Sequence, residues 1–178
     1  MSRFILLIYG SLCSGKSTTI QVLKNRHPNV FHSSVDHIKW FISDYSSNKY
    51  AAGGSVHRVL LAMNTEAVKA SFSLIVEGSA GLVLMREHYI HLSERYATFF
   101  LEVNLEAPYK VLLSRFNKRA RLSKKKNIKI SADTKEQMSV RYKNYYNHKL
   151  NNIPTIDSST HTPDEIADQI ERLLNLEK

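Results

Sequence analysis

The sequence predicts an α/β fold, in which helices cover both faces of a parallel sheet. Short apolar segments alternate with longer helical segments along the chain, and this alternation is typical of strand–helix–strand units with right-handed crossovers. A turn bounded by two glycines, residues 10–17, joins the first predicted strand to the first predicted helix. With 178 residues the chain is long enough to bury a core, so we expect one domain over residues 1–178.

Five segments have the composition of buried strands, because they are short, apolar and rich in β-branched or aromatic residues. In chain order, the predicted strands are residues 3–9, 30–34, 72–77, 98–103 and 153–157. Ligands of such sheets bind at the carboxyl ends of the strands. The residues that follow each strand are therefore the first candidates for a functional site.

Six segments between and after these strands have the pattern of helices. They are residues 16–26, 56–70, 85–96, 108–117, 134–148 and 163–176. The last helix has a clear start, because Thr162 is a favoured N-cap, Pro163 suits the first helical position and Glu165 completes a capping box. Its apolar residues repeat at helical spacing, and we interpret this helix as core packing.

The turn after the first strand matches the phosphate-binding pattern G-x-x-x-x-G-K-[ST] at every fixed position. The residues expected to surround the bound phosphates are Gly10, Ser11, Leu12, Cys13, Ser14, Gly15, Lys16, Ser17 and Thr18. Glycines allow a turn that directs several backbone N–H groups at one anion. Lys16 is predicted to contact the β- and γ-phosphates, and the Ser17 hydroxyl is predicted to ligate Mg²⁺.

Two carboxylates lie at the carboxyl ends of the second and third predicted strands. Asp36 has two interpretations: it orients or deprotonates an acceptor hydroxyl, or it caps the helix near His37. Glu77 either holds Mg²⁺, directly or through water, or hydrogen-bonds the phosphate-binding loop. Three further residues are candidates for the acceptor side, although a solvated helix position is an equal alternative for the last: Lys39, Ser79 and Arg86. The acceptor pocket is expected mainly within residues 37–60 and 78–90, and Tyr45 and Tyr50 indicate a mobile aromatic-bearing loop in the first range.

The positive charge is concentrated in one segment. The chain has a formal net charge of +9, and residues 110–149 contain thirteen Lys or Arg residues but two acidic residues, Asp133 and Glu136. This concentration indicates a local role with phosphates. Arg115 and Arg119 are four residues apart and share a helix face, and the lysines that follow are predicted to form a mobile lid over about residues 116–135.

A second cluster in this segment, residues 141–146, alternates tyrosines with cations. It suits either nucleic-acid binding or packing of the tyrosines against the body of the domain. Nucleic acid is therefore one partner that the basic segment 110–149 could bind.

Other features restrict the class of protein. A single cysteine, Cys13, excludes an internal disulfide framework. No apolar run approaches the roughly 18 residues of a membrane span. The first apolar run leads directly into the glycine-bounded turn, so we expect no signal peptide and a cytoplasmic location.

The 10–17 loop, Asp36, Glu77 and the Arg-x-x-x-Arg pair of Arg115 and Arg119 together resemble the P-loop kinase superfamily. This superfamily includes nucleotide and shikimate kinases, zeta-toxin-like kinases and polynucleotide 5′-hydroxyl kinases. The resemblance implies a three-layer fold, a five-stranded sheet in the order 2-3-1-4-5, a basic helical lid, and the use of ATP with Mg²⁺.

The resemblance also implies roles for individual residues. By this resemblance Arg115 stacks on adenine, Arg119 contacts the transferring phosphate, and Ser158 and Ser159 border the adenine. We further expect Arg121 to help Arg119 neutralise charge in the transition state. The expected function is transfer of the γ-phosphate of ATP to a hydroxyl of a small molecule or nucleotide-like acceptor. Two alternatives stay open, a polynucleotide 5′-hydroxyl kinase and a nucleotide-binding regulator without phosphotransfer, and the oligomeric state is undetermined.

Two departures narrow the expectation. Many relatives place arginine three residues after the strand-two aspartate, whereas this chain has Lys39, which weakens the expectation of a bidentate grip on the acceptor. The Asp-x-Asp of shikimate-kinase-like sites is missing before Asp36, and the guanine-reading motif fails at residues 117–120. The sequence thus argues against a shikimate kinase and against a GTPase.

Overall fold

The computed structural model describes residues 3–43, 49–127, 130 and 132–176, with the backbone alone for residues 49–53. Within these ranges it contains one five-stranded sheet in the order β2-β3-β1-β4-β5, and all pairings are parallel. The strands are β1 (Phe4–Gly10), β2 (Val30–Ser34), β3 (Ser73–Gly78), β4 (Phe99–Glu106) and β5 (Thr155–Asp157). The predicted α/β class and the sheet order 2-3-1-4-5 are confirmed.

The helices of the described residues lie between these strands and after the last one. They are α1 (Lys16–Arg26), α2 (Val35–Trp40), α3 (Lys49–Lys69), α4 (Ala80–Val83), α5 (Arg86–Arg95), α6 (Tyr109–Lys126), α7 (Lys135–His148) and α8 (Pro163–Leu173). The short helix α4 was not predicted, and α2 begins at Val35 rather than near His37. Helix α8 begins as predicted, with a complete capping box between Thr162 and Glu165.

Helix α6 is longer than the sequence pattern predicted. It continues to Lys126 rather than ending at 117, so the first part of the predicted lid, 116–126, is regular helix. Lysine, arginine, leucine and alanine are favourable in helices. On the side of α6 that faces the protein, Phe116 and Ser123 are buried. Part of the remaining predicted lid, residues 128, 129 and 131, lies outside the described residues.

The central strand β1 is buried on both faces of the sheet. Because successive strand side chains point to opposite faces, Ile5, Leu7 and Tyr9 enter a cluster with α3 and α5. Phe4, Leu6 and Ile8 enter a cluster with α1 and α8 on the other face. The carboxyl end of this strand is the turn at residues 10–17, so the deepest part of the core fixes its position.

A third buried cluster holds the basic helices against this turn. It contains Leu112 and Phe116 of α6 and Met138 of α7, and Leu12 and Cys13 of the turn pack against it. Both helices are therefore positioned beside the predicted phosphate-binding loop. In the part of the chain that the structure describes, no helix combines the length and the apolar character needed to cross a bilayer.

Candidate nucleotide and acceptor site

The backbone of the predicted phosphate-binding loop requires glycine at both fixed glycine positions. Gly15 has φ +96° and is the N-cap of α1, which begins at Lys16. A Cβ at Gly10 would lie 2.6 Å from the carbonyl oxygen of Leu105, so a side chain does not fit there. The loop therefore leads directly into a helix N-terminus, where backbone N–H groups and the helix dipole favour an anion.

The Lys16 ammonium group lies over the loop. Its Nζ donates hydrogen bonds to the carbonyl oxygens of Gly10 at 3.0 Å and Ser11 at 2.9 Å. Burial lowers the pKa of Lys16, and the negative charges of Glu77 and Asp36 oppose this shift. Both carboxylates that the sequence singled out thus lie within electrostatic reach of the loop lysine.

Ser17 and Glu77 form a direct link between α1 and the end of β3. The Ser17 hydroxyl donates a 2.8 Å hydrogen bond to Glu77 Oε1, and His32 Nε2 lies 3.5 Å from Glu77 Oε2. Burial acts to raise the pKa of Glu77, but His32, Lys16 and Ser17 together hold it below its ordinary value. Glu77 is therefore a carboxylate at neutral pH.

The Ser17 and Glu77 oxygens suit a magnesium ion that is also bound by phosphate and water. They do not form a site in which the protein supplies all the ligands. Mg²⁺ prefers oxygen ligands and is usually held by one or two protein groups together with phosphates and water. Ser17 and Glu77 supply one hydroxyl and one carboxylate beside the loop. Among the described residues, no group of three or more His, Cys, Asp or Glu side chains could hold a metal ion.

Asp36 is not the N-cap of α2. That position is taken by Ser34, whose Oγ accepts a 3.2 Å hydrogen bond from the backbone N–H of His37, and the capping interpretation of Asp36 is therefore wrong. The Asp36 carboxylate is half exposed, and its Oδ1 lies 3.2 Å from Lys39 Nζ. An exposed carboxylate beside the loop is accessible to a second substrate.

One cavity of about 1030 Å³ brings most of these residues together. Its walls come from the loop, from the helices α2, α3, α4, α6 and α7, from the end of β3 and from the turn after β5. The predicted site residues that line it, in chain order, are Gly10, Leu12, Cys13, Ser14, Gly15, Lys16, Ser17, Thr18, Asp36, Lys39, Glu77, Ser79, Arg115, Arg119 and Ser158.

The arginines of α6 differ in position. Arg115 donates hydrogen bonds to the Ser158 carbonyl at 2.6 Å, to Ser158 Oγ at 3.0 Å and to the Cys13 carbonyl at 3.4 Å. Arg119 lies next to Cys13, where burial raises the pKa of the thiol and the Arg119 guanidinium counteracts it. Arg121 lines a separate cavity of about 370 Å³, because two helical residues correspond to a rotation of about 200°.

Three other predicted residues are also absent from the cavity lining that the described residues form. Arg86 instead makes an ion pair with Glu102, with Nη2 and Oε2 2.7 Å apart, and Glu102 is almost fully buried. Tyr9 donates a 2.7 Å hydrogen bond to the same carboxylate. The backbone N–H and the hydroxyl of Ser159 donate hydrogen bonds to Asp157 Oδ1 within the same turn. Ser11 is buried.

The cavity lining includes further side chains that the sequence analysis did not name individually. Trp40 and His57 lie within the range 37–60 that was expected to form the acceptor pocket, whereas Arg141 and Asn144 of α7 and His161 after β5 lie outside the expected ranges. The i, i+3 spacing of Arg141 and Asn144 on a predicted helix was an available signal. The side chains of Tyr45 and Tyr50 lie outside the described residues.

The tyrosines of α7 pack against neighbouring side chains. Tyr145 is buried, with its hydroxyl bonded to Asn104 and Glu106. Tyr142 lies 4.4 Å from Tyr146, measured between ring centroids. Packing against the body of the domain, one of the two sequence interpretations, therefore accounts for these rings.

The fold and the loop define this molecule as a nucleotide-binding protein with the fold of the P-loop kinases. More specifically, the chain belongs to the AAA domain family, whose model matches residues 6–139. No curated protein matches the chain.

Solved structures share the fold at low sequence identity. The Deinococcus radiodurans tunicamycin resistance protein is 15% identical, with a TM-score of 0.62, over 96% of this chain and 95% of that chain. The Mycobacterium tuberculosis APS kinase CysC, solved with AMPPNP and APS, is 15% identical, with a TM-score of 0.58 and 98% of each chain covered. A chain of the Pnkp1/Rnl/Hen1 RNA repair complex is 14% identical, with a TM-score of 0.61 over 83% of this chain. This protein spans 45% of that longer chain.

Proposed function

We propose that this protein is a kinase that transfers the γ-phosphate of Mg-ATP to the hydroxyl of a small molecule or nucleotide-like acceptor. The observation that carries the proposal is the convergence of Lys16, the Ser17–Glu77 pair and Asp36 on one cavity. Lys16, Ser17 and Glu77 would be needed for ATP hydrolysis as well. A carboxylate in the position of Asp36 is additionally useful for activating an alcohol.

On the nucleotide side, the loop amides and Lys16 hold the β- and γ-phosphates. Ser17 and Glu77 would hold Mg²⁺, which neutralises charge on these phosphates when it is bound. Arg115 and Ser158 also line the cavity and are hydrogen-bonded to each other, and in this proposal they border the adenine. The nucleotide therefore lies between α1 and α6.

On the acceptor side, Asp36 accepts the proton of the attacking hydroxyl or orients that hydroxyl toward the γ-phosphate. Lys39, whose Nζ lies 3.2 Å from Asp36 Oδ1, holds the carboxylate in place. Arg119 neutralises charge that develops on the transferring group. Closure of the cavity by the C-terminal part of α6 would exclude water, which otherwise competes with the acceptor.

The test is a transfer assay without an assumed acceptor. The protein is incubated with Mg²⁺, γ-labelled ATP and a metabolite extract, and the labelled product is identified by mass spectrometry. The matched control is Asp36→Asn, which keeps the shape of the side chain. Label on an organic alcohol with the wild type and not with Asp36→Asn supports the proposal. Nucleotide binding with no labelled product from any pool would instead favour the nucleotide-binding regulator.

A polynucleotide acceptor is the second candidate, and the surface charge of the basic helices favours it. Ten lysines and arginines of α6 and α7 are exposed, namely Lys110, Lys118, Arg119, Arg121, Lys124, Lys125, Lys126, Lys135, Arg141 and Lys143. Such a surface is expected to bind oligonucleotides with an affinity that falls steeply with salt concentration. Transfer of label to 5′-hydroxyl RNA or DNA oligomers at low salt would support this acceptor, and label on a small metabolite alone would exclude it.

A further inference from the structure

We propose that the acceptor end of the cavity contains an oxyanion subsite formed by Arg141, Asn144 and Lys39. The acceptor is then a hydroxyl compound that also carries an oxyanion group. This inference rests on the proposed kinase function and specifies the class of its acceptor. All three side chains line the same cavity as Lys16 and Asp36.

The three side chains belong to the acceptor wall of the cavity. Lys39 lies next to Asp36, and its charge acts together with burial to lower the pKa of His57. His57 in turn faces Gly81 of α4, where a Cβ would lie 3.7 Å from His57 Nε2. Helix α4 contacts α7, the helix that carries Arg141. The wall thus continues from α2 through α3 and α4 to α7.

Helix α7 presents Arg141 and Asn144 from a fixed position. The two residues are three apart and share one helix face. One residue further, Tyr145 is buried and its hydroxyl donates 3.1 Å hydrogen bonds to Asn104 and Glu106 of β4. The helix that carries the subsite is therefore attached to the central sheet.

The charge of the cavity favours an anionic second substrate. Among the described lining residues, five are lysine or arginine and two are carboxylates. The cations are Lys16, Lys39, Arg115, Arg119 and Arg141, and the carboxylates are Asp36 and Glu77. In the proposed function Lys16, Arg115 and Arg119 serve the nucleotide, while Lys39 and Arg141 line the acceptor part of the cavity. A guanidinium binds planar or tetrahedral oxyanions through two hydrogen bonds, and the Asn144 amide can donate a third.

The subsite can be tested with inorganic sulfate while the phosphate-binding loop is filled. The protein is saturated with Mg²⁺ and a non-hydrolysable ATP analogue and titrated calorimetrically with sulfate at constant ionic strength. We expect one sulfate site in the wild type and a loss of affinity of about tenfold or more in Arg141→Gln. The matched control is Lys143→Gln, which removes the same charge from an exposed position of α7. Asn144→Asp, which adds a negative charge to the subsite, should also abolish sulfate binding.

The outcomes separate this inference from the proposed function. If Arg141→Gln and Lys143→Gln weaken sulfate equally, or if Arg141→Gln weakens the ATP analogue instead, the subsite is overturned. If the wild type turns over ATP with an acceptor but does not bind sulfate, the subsite fails alone. If the folded protein does not bind the analogue, the proposed function and the subsite fail together.

A second measurement uses the transfer assay. The metabolite extract is separated on an anion-exchange resin before labelling. We expect the acceptor in the retained fraction, and an acceptor found in the flow-through fraction would overturn the inference.

Discussion

Arg115 and Ser158 join helix α6 to the turn after β5. The Arg115 guanidinium donates hydrogen bonds to the Ser158 carbonyl at 2.6 Å and to Ser158 Oγ at 3.0 Å, and Ser158 is almost fully buried. A third hydrogen bond reaches the Cys13 carbonyl in the phosphate-binding loop. One side chain therefore connects the loop, helix α6 and the predicted adenine border.

Arg115→Ala is expected to destabilise the protein as well as weaken nucleotide binding. The substitution removes the charged donor from the buried Ser158 carbonyl, and loss of such a partner costs about 1–3 kcal/mol. Urea unfolding measures the change in the free energy of unfolding. Arg121→Ala, on another side of the same helix, serves as the control and should change stability by less than about 0.5 kcal/mol. Equal free energies of unfolding for the two variants would show that the Arg115 hydrogen bonds do not stabilise the fold.

Asp36→Asn is expected to abolish phosphoryl transfer and leave ATP-analogue affinity nearly unchanged. The carboxylate is half exposed, pairs with Lys39 and does not cap α2, so its loss should not disturb the fold. The transfer assay and calorimetry with the analogue measure the two effects. The control is Asp133→Asn, an exposed acidic position before α7. A collapse of nucleotide affinity in Asp36→Asn would make Asp36 a metal ligand or a structural residue.

Arg119→Ala should lower kcat by about 10³–10⁵-fold if Arg119 acts as an arginine finger. Arg119 lines the cavity beside Cys13, whereas Arg121 lines the second cavity. Arg121→Ala should therefore lower kcat by less than about tenfold. Steady-state kinetics with the identified acceptor compares the two variants. A loss in Arg119→Ala that is also below about tenfold would remove Arg119 from this role.

Ser17→Ala and Glu77→Gln are expected to weaken binding of the magnesium–nucleotide complex more than binding of the free nucleotide. Each substitution removes one of the two oxygens that are linked by the 2.8 Å hydrogen bond and that would hold the metal. Calorimetric titration with the ATP analogue is carried out in Mg²⁺ and again in EDTA. The two variants should differ from the wild type in Mg²⁺ and approach it in EDTA. An equal loss under both conditions would indicate that the pair only shapes the loop.

Arg86→Ala is expected to affect stability rather than the acceptor. Its removal would leave the Glu102 carboxylate buried without its cationic partner, and breaking such a pair costs about 3 kcal/mol or more. Thermal unfolding measures this effect, with Arg95→Ala at an exposed position of the same helix as the control. A normal melting temperature combined with a raised acceptor KM would restore Arg86 to the acceptor site.

Local sequence patterns were sufficient for the elements whose signals lie within a few residues. The helix α1 and strand β2 have the predicted bounds, and the capping box of α8 is present. The end of α6 was missed because its exposed lysines show no apolar periodicity, although such residues are good helix formers. Helix α4 has four residues, which is too short for a periodic pattern.

The sequence by itself determined the α/β class and the phosphate-binding loop, because a parallel sheet and a glycine-bounded turn depend on residue types at short, fixed spacings. The tertiary structure alone decided which cations face the cavity. Arg86 is bound to Glu102 and Arg121 faces a second cavity, while Arg141 and Lys39 line the main one. A basic residue has the same sequence signal wherever it points, and its direction is fixed by helix rotation and by partners distant in the chain.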